Sequence, residues 1–198
     1  MLFRSQLINW VAEDTTGEGK PMPRHDWSVQ SDLSEPLSVF GDYVFDWLDV
    51  PALLSAGGEV LAYPMCDRNP LTTWRHGNLT LLGDAAHPMY PVGSNGASQA
   101  ILDARTLAHS LATTGSIDEG LDRYESIRLP ATAAVVLANR QVGPERCMDV
   151  VADLAPDGFS SIDDVIPAAE LTEMVQSYKR TAGFDPNVLN SRPSLSVR

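Results

Sequence analysis

Cysteine is scarce in this chain. Cys66 and Cys147 are far apart and form no CxxC pair. Two isolated thiols build no disulfide framework and suit a reducing compartment, which points to the cytoplasm. Metal-ligand spacing is missing as well. The four histidines, His25, His76, His87 and His109, fall in no HExxH or comparable pattern, which argues against a structural metal. No apolar run approaches the roughly 20 residues that a membrane-spanning helix needs. The opening MLFRSQLINWVAED is too short and too broken in its apolar part for a signal peptide. Positive charge is also in short supply, with 14 Lys and Arg against 26 Asp and Glu and a formal net charge of −12. Phosphate binding needs clustered Lys and Arg, so this balance argues against nucleic acid and anionic membranes as partners. Repeats and low-complexity tracts are absent too.

What remains has the composition of an ordinary soluble globular protein, 43% hydrophobic and 20% charged over 198 residues. Leu7–Val11 is rich in strand formers and reads as a β-strand. Residues 13–23, with two glycines and two prolines, read as a loop. Residues 32–54 read as helical with breaks, Asp49 capping a helix that has Pro51 in its first turn. Residues 59–65 read as another strand. Leu79–Leu82 is a short apolar run that stops at Gly83, as a buried strand would. Beyond it the pattern turns helical. Ala97, Ala100, Ile101, Ala104, Leu107, Ala108 and Leu111 form a 3.6-residue stripe. A second helix covers residues 121–142, with Tyr124, Ile127, Ala131, Ala134, Val135 and Ala138 on one side and Pro130 kinking or dividing it. A third helix spans residues 145–154. Pro167 starts a fourth, which Gly183 ends. Residues 187–198 read as a loosely ordered tail. The change of character suggests a sheet region over residues 1–65 and a helical region over 66–198.

One stretch asks for more than a fold. GDAAHPMYPVGSNGASQAILDA, from Gly83 to Ala104, places an acid, two prolines and three glycines in front of a helix. Gly83 lets the chain turn at the strand end. Asp84 can accept hydrogen bonds from ligand hydroxyls. Gly93 and Gly96 remove side chains, so that backbone can approach a flat or charged group. A helix starting near Gly96 points free N–H groups and a partial positive charge at that loop, which is an anion-holding device. Plainer roles exist for each part. Asp84 alone serves equally as a turn residue or cap, His87 as a packed, hydrogen-bonded histidine, and Asp103 as the partner of a basic residue such as Arg128 on the next helix. The combination carries more weight than any one piece.

The stretch resembles the second flavin-binding motif of the FAD-dependent aromatic hydroxylases, the p-hydroxybenzoate hydroxylase-like family: GD, then AAH, a proline, and G-x-x-G leading into a helix. With YESIRLPATAAVVLANRQVGPERCMD and YKRTAGFD further on, the wording is most like the phenazine monooxygenase subgroup of the pyocyanin pathway. This resemblance implies FAD as cofactor and NAD(P)H as co-substrate. It implies that Gly83 and Asp84 bind at the ribityl chain, with Asp84 accepting from its hydroxyls. Pro91 would lie against the isoalloxazine, Gly93 and Gly96 would let the loop pass the ring edge, and the N–H groups of Ala97 and Ser98 would face the flavin N1/O2 edge. The implied reaction is hydroxylation of an aromatic small molecule with O2, through a flavin C4a-hydroperoxide. The cofactor carries the chemistry, so no catalytic side chain is assigned. Trp10, Met65, Met89, Tyr90 and Val92 are candidates for the substrate side.

The same family opens on a G-x-G-x-x-G dinucleotide loop and has a middle DG motif. Neither is found in this sequence. The expectation is therefore an α+β fold corresponding to the C-terminal part of such an enzyme: a partial substrate-domain sheet, a flavin-motif strand, loop and helix, and a helical C-terminal portion. A complementary N-terminal half is the expected partner, and this chain alone is expected to be inactive. The rival reading is a non-catalytic remnant or interaction module without flavin turnover.

Overall fold

The computed structural model describes residues 8–13, 29–141, 143–191 and 193–196. The chain divides into two compact units, Met1–Pro64 and Met65–Arg198. In the first, helix α1 (Ser34–Phe40) leads to a hairpin of β1 (Val44–Phe45) and β2 (Leu48–Asp49), and then to α2 (Val50–Ser55). Asp49 caps α2, its carboxylate accepting from Ala52 N at 2.8 Å, with Pro51 in the first turn. Phe45 and Trp47 stack across the hairpin turn. The two longer strands expected here do not form among the described residues. Among the described residues Ile8–Val11 has no ladder partner, and Leu7 and residues 14–23 of the expected loop lie outside them. Residues 59–65 make a single bridge, Leu61 to Gln30. Strand propensity alone fixes nothing without a neighbouring strand to receive its N–H and C=O groups.

The second unit opens on a hairpin of β3 (Arg75–His76) and β4 (Leu79–Thr80), turned at Gly77 with φ +58°. Two short 3-10 turns follow, Gly83–Ala85 and Val92–Ser94. Then come the long helices α3 (Gly96–Thr113) and α4 (Ile117–Asn139), a turn at Gly143–Glu145, and α5 (Arg146–Leu154). Helices α6 (Ala168–Ala182) and α7 (Pro186–Ser191) complete the order. Ser116 caps α4 by accepting from Glu119 N at 3.2 Å. Gly183, with φ +78°, ends α6 as its sequence suggests. The stretch read as a loose tail instead contains α7.

The helix faces depart from the sequence reading. On α3 the buried residues are Gln99, Asp103, Thr106 and Ser110, at helical spacing. The apolar stripe lies largely outside: Ile101 and Leu111 are exposed, and so are Ala97, Ala104 and Ala108. Only Leu107 joins a core, packing on Trp74, Ala86 and Tyr124 together with Leu81 and Leu129. On α4 the buried face runs through Leu121, Tyr124, Arg128, Thr132, Val135, Val136 and Asn139, while Ile127, Ala131 and Ala134 are not buried. The two helices thus meet across a partly polar seam. Such a seam is stable only if its polar groups satisfy one another. Leu79 and Leu82 are also exposed, so the buried strand expected there is a two-residue edge with Leu81 alone turned inward.

Pro130 neither ends nor divides α4, which runs on from Ile117 to Asn139 with buried residues on both sides of the proline. Tertiary burial of that face outweighs the lost backbone hydrogen bond. Pro130 is itself exposed, so replacing it removes little packing. Pro130→Ala is expected to stabilise the protein by about 1–3 kcal/mol, read as a raised melting temperature. A lower melting temperature would show that the proline fits a bend on which the fold relies.

Candidate functional site

The loop between β4 and α3 is shaped by hydrogen bonds to its back. Gly83 takes φ +59° and is buried, and its carbonyl accepts from the N–H groups of both Ala86 and His87 at 2.9 Å. Its own N–H donates to Asp103 Oδ2 at 2.9 Å. The same oxygen receives His87 Nε2 at 2.6 Å, and Asp103 Oδ1 receives Arg128 Nε at 2.7 Å. Arg128 also donates to the side-chain oxygen of Gln99 at 2.6 Å, and Gln99 donates to the Ala182 carbonyl at 2.9 Å. One carboxylate with no solvent exposure therefore ties the loop to α3 and α4, and the chain of bonds continues to the end of α6. Burial alone would push the Asp103 carboxyl up. The bonds from His87, Gly83 and Arg128, with the Arg128 charge, outweigh it and hold the group below the usual carboxylate value. Tyr124, buried near this charge, is pushed up by desolvation and then by Asp103, and its hydroxyl donates to the Leu81 carbonyl at 3.0 Å. His87 Nδ1 is buried without a hydrogen-bond partner among the described residues.

The second half of the loop rests on α6. Gly93 and Ser94 both take left-handed backbone, φ +70° and +54°. A Cβ on Gly93 would come within 2.6 Å of the Tyr178 hydroxyl oxygen, so glycine is required by both conformation and space. The Gly93 N–H donates to Glu145 Oε1 at 3.3 Å. Asn139 on α4 donates to the Tyr90 carbonyl at 2.8 Å. Helix α3 then begins at Gly96 with no side-chain cap. A Cβ on Gly96 would meet nothing within 4 Å, so the space beside Gly96 is open.

The expected site residues are thereby placed. Gly83 is buried, whereas Asp84 and Pro91 are exposed on the loop. Gly96, Ala97 and Ser98 form the first turn of α3. Of the substrate-side candidates, Tyr90 is half-buried and Met65 is exposed. Met89, partly buried, packs against Val135, Tyr178 and Ala182, and Val92 stands against Gly143. Trp10 belongs to the first unit, where it lies against Gly57. The pairing of Asp103 with Arg128, expected from sequence as one option, is present. Gln99, Asn95, Asn139, Glu145 and Tyr178 went unnoticed. A signal existed for Gln99, because Gln99, Asp103, Thr106 and Ser110 make a polar stripe at helical spacing beside the apolar one.

A strand edge, a buried acid-anchored turn, a glycine loop and an uncapped helix start thus follow one another between β4 and α3. A family model described as "FAD binding domain" matches residues 59–139. Over the part of them that it spans, the chain resembles the FAD-dependent aromatic hydroxylases and monooxygenases. It is 44% identical to a phenazine 1,6-dicarboxylic acid hydroxylase of Lysobacter antibioticus, over 87% of this chain and 40% of that protein. It is 37% identical to a 3-amino-4-hydroxybenzoate 2-monooxygenase of Streptomyces platensis, over 96% of this chain and 45% of the relative. The chain thus spans less than half the length of these relatives. A salicylate hydroxylase substrate complex shares the fold, with a TM-score of 0.60 and 23% identity, over 92% of this chain and 43% of that one.

Asp103→Asn removes the charge that pairs Arg128. Leaving one partner of a buried pair uncompensated costs about 3–5 kcal/mol. A carboxyl with a lowered folded pKa contributes its full stability above the ordinary carboxylate range, about pH 4, and loses it as pH falls through the folded value. The melting-temperature gap between wild type and Asp103→Asn should therefore be widest near neutral pH and narrow in acid. A gap independent of pH would mean that the Asp103 charge does not support the fold.

Proposed function

We propose that this chain is part of a FAD-dependent, NAD(P)H-using monooxygenase that hydroxylates an aromatic small molecule with O2. The observation that carries this is the first turn of α3, which has no side-chain cap, open space over Gly96 and an exposed Pro91 at the loop leading to it. Those features fit a large, flat, electron-accepting ring laid on backbone N–H groups. In this reading Asp84 accepts hydrogen bonds from ribityl hydroxyls, and Gly83 sets the turn that presents it. Pro91 packs on the ring face, while Gly93 and Gly96 let the backbone pass its edge. The Ala97 and Ser98 N–H groups, at the positive end of α3, stabilise negative charge at the pyrimidine edge without a cationic side chain. When bound, FAD supplies the hydride acceptance and the oxygen activation; the protein holds, orients and shields it. Tyr90, half-buried on the same loop, helps to line the substrate side.

The reading extends to a complementary N-terminal polypeptide that supplies the dinucleotide loop. The exposed apolar residues Ala97, Ile101, Ala104, Ala108 and Leu111 on α3 support such a partner, because an apolar face of that kind is unusual on a free surface. The two units correspond, in this proposal, to a partial substrate-binding region and to the second flavin motif with its C-terminal helices. A cytoplasmic setting accords with the free thiols of Cys66 and Cys147.

FAD titration of the full-length protein tests the proposal. Asp84→Ala is expected to weaken binding by about 1–3 kcal/mol, the cost of losing an acceptor for ligand hydroxyls. At Gly96 a Cβ has open space around it, so Gly96→Val should impair flavin binding while leaving the melting temperature of the apoprotein within a few degrees. The 198-residue chain alone should not consume NADPH even with FAD supplied. A full-length protein that stays colourless with FAD would overturn the reading in favour of a non-catalytic module.

A further inference from the structure

Asparagine is among the best helix N-caps, and Asn95 occupies the N-cap position of α3. It does not cap. A capping side chain would accept from the N–H groups of Ala97 or Ser98, the second and third residues of the helix. Asn95 instead turns its amide away and donates from Nδ2 to the Tyr178 hydroxyl at 2.6 Å. Its backbone, at φ −95° and ψ −16°, is also helical rather than in the extended region usual for a capping residue. The left-handed Gly93 and Ser94 deliver it in that pose.

Tyr178 is fully committed to this arrangement. Its single proton goes to Asn139 Oδ1 at 2.6 Å, while its oxygen accepts from Asn95. Asn139 in turn holds the Tyr90 carbonyl. Its ring fills the space that the absent side chains of Gly93 and Gly143 leave, since a Cβ on either would press into it. Tyr178, Asn95 and Asn139 are all buried. Burial raises the cost of leaving any of these groups unpaired, so the relay enforces one orientation of the Asn95 amide.

We propose that Tyr178 is a positioning residue for flavin chemistry: by holding Asn95 out of the capping position it keeps the Ala97 and Ser98 N–H groups free for the cofactor. This rests on the reading that those groups face the flavin. Tyr178 touches neither flavin nor substrate in this scheme and acts wholly through Asn95. The positive end of α3 then stays available to the reduced, anionic ring rather than being quenched by the protein's own amide oxygen.

The test uses the full-length, FAD-loaded protein. Tyr178→Phe keeps the ring against Gly93 and deletes only the hydroxyl, which releases the Asn95 amide and lets the residue relax to the extended backbone from which it can cap α3. FAD binding is expected to weaken about tenfold, the loss of roughly one hydrogen bond's worth of affinity. The reduction potential of the bound flavin should fall and its visible absorption bands should shift. The double variant Tyr178→Phe/Asn95→Ala removes the competing amide and should recover much of both the affinity and the potential. Thermal melting of each variant keeps folding losses separate from these readouts. If wild type binds FAD but Tyr178→Phe matches it in affinity, spectrum and potential, the role assigned to Tyr178 is wrong. A double variant no better than the single one would overturn it as well. Wild type that binds no FAD would instead sink the flavin-site reading beneath it.

Discussion

Asp103 is the constraint on which the rest of this unit depends. Its carboxylate is shut away from solvent and still ionised, because three N–H groups from Gly83, His87 and Arg128 converge on it. Those donors come from the loop that follows β4 and from α4. A charge buried this way is tolerated only when its partners are in place. The requirement therefore sets the loop's path and the α3–α4 packing together. Gln99 extends the same chain of bonds to the last turn of α6.

The second polar cluster, around Tyr178, repeats this logic on the other half of the loop. There, the neutral groups of Asn95, Asn139 and Tyr178, with the Glu145 carboxylate at Gly93, do what the ion pair does around Gly83. The loop is fixed from behind at Gly83 and His87 by one cluster, and at Tyr90, Gly93 and Asn95 by the other. Its exposed side, with Asp84 and Pro91, is left free of such ties. A loop braced on one side and open on the other is how a rigid backbone surface for a ligand is made without spending side chains on the ligand itself.

Much of the site was legible in the one-dimensional string. The stretch from Gly83 to Ser98 marks itself because glycine, proline and a helix start are tied to backbone geometry, which is local. The same holds for the Asp49 cap of α2 and the Gly183 end of α6, where one residue's preferences decide the outcome. The long strands expected at residues 7–11 and 59–65 fared differently. Strand formation needs a partner, and the sequence of a strand does not name one.

The sequence by itself determined the likeness to the flavin-dependent hydroxylases and the number and rough limits of the long helices, since these follow from local wording, spacing and backbone preference. Tertiary structure alone decided which face of α3 turns inward. An apolar stripe advertises a face that wants burial, but burial goes to whichever face the neighbouring elements can satisfy. Here α4 offers Arg128, and the loop offers the Gly83 N–H and His87, so Gln99 and Asp103 turn inward and Ile101 remains outside. The role of Tyr178 was likewise beyond the reach of spacing. Its hydroxyl meets Asn95 across 83 positions of chain, and no local rule couples residues so far apart.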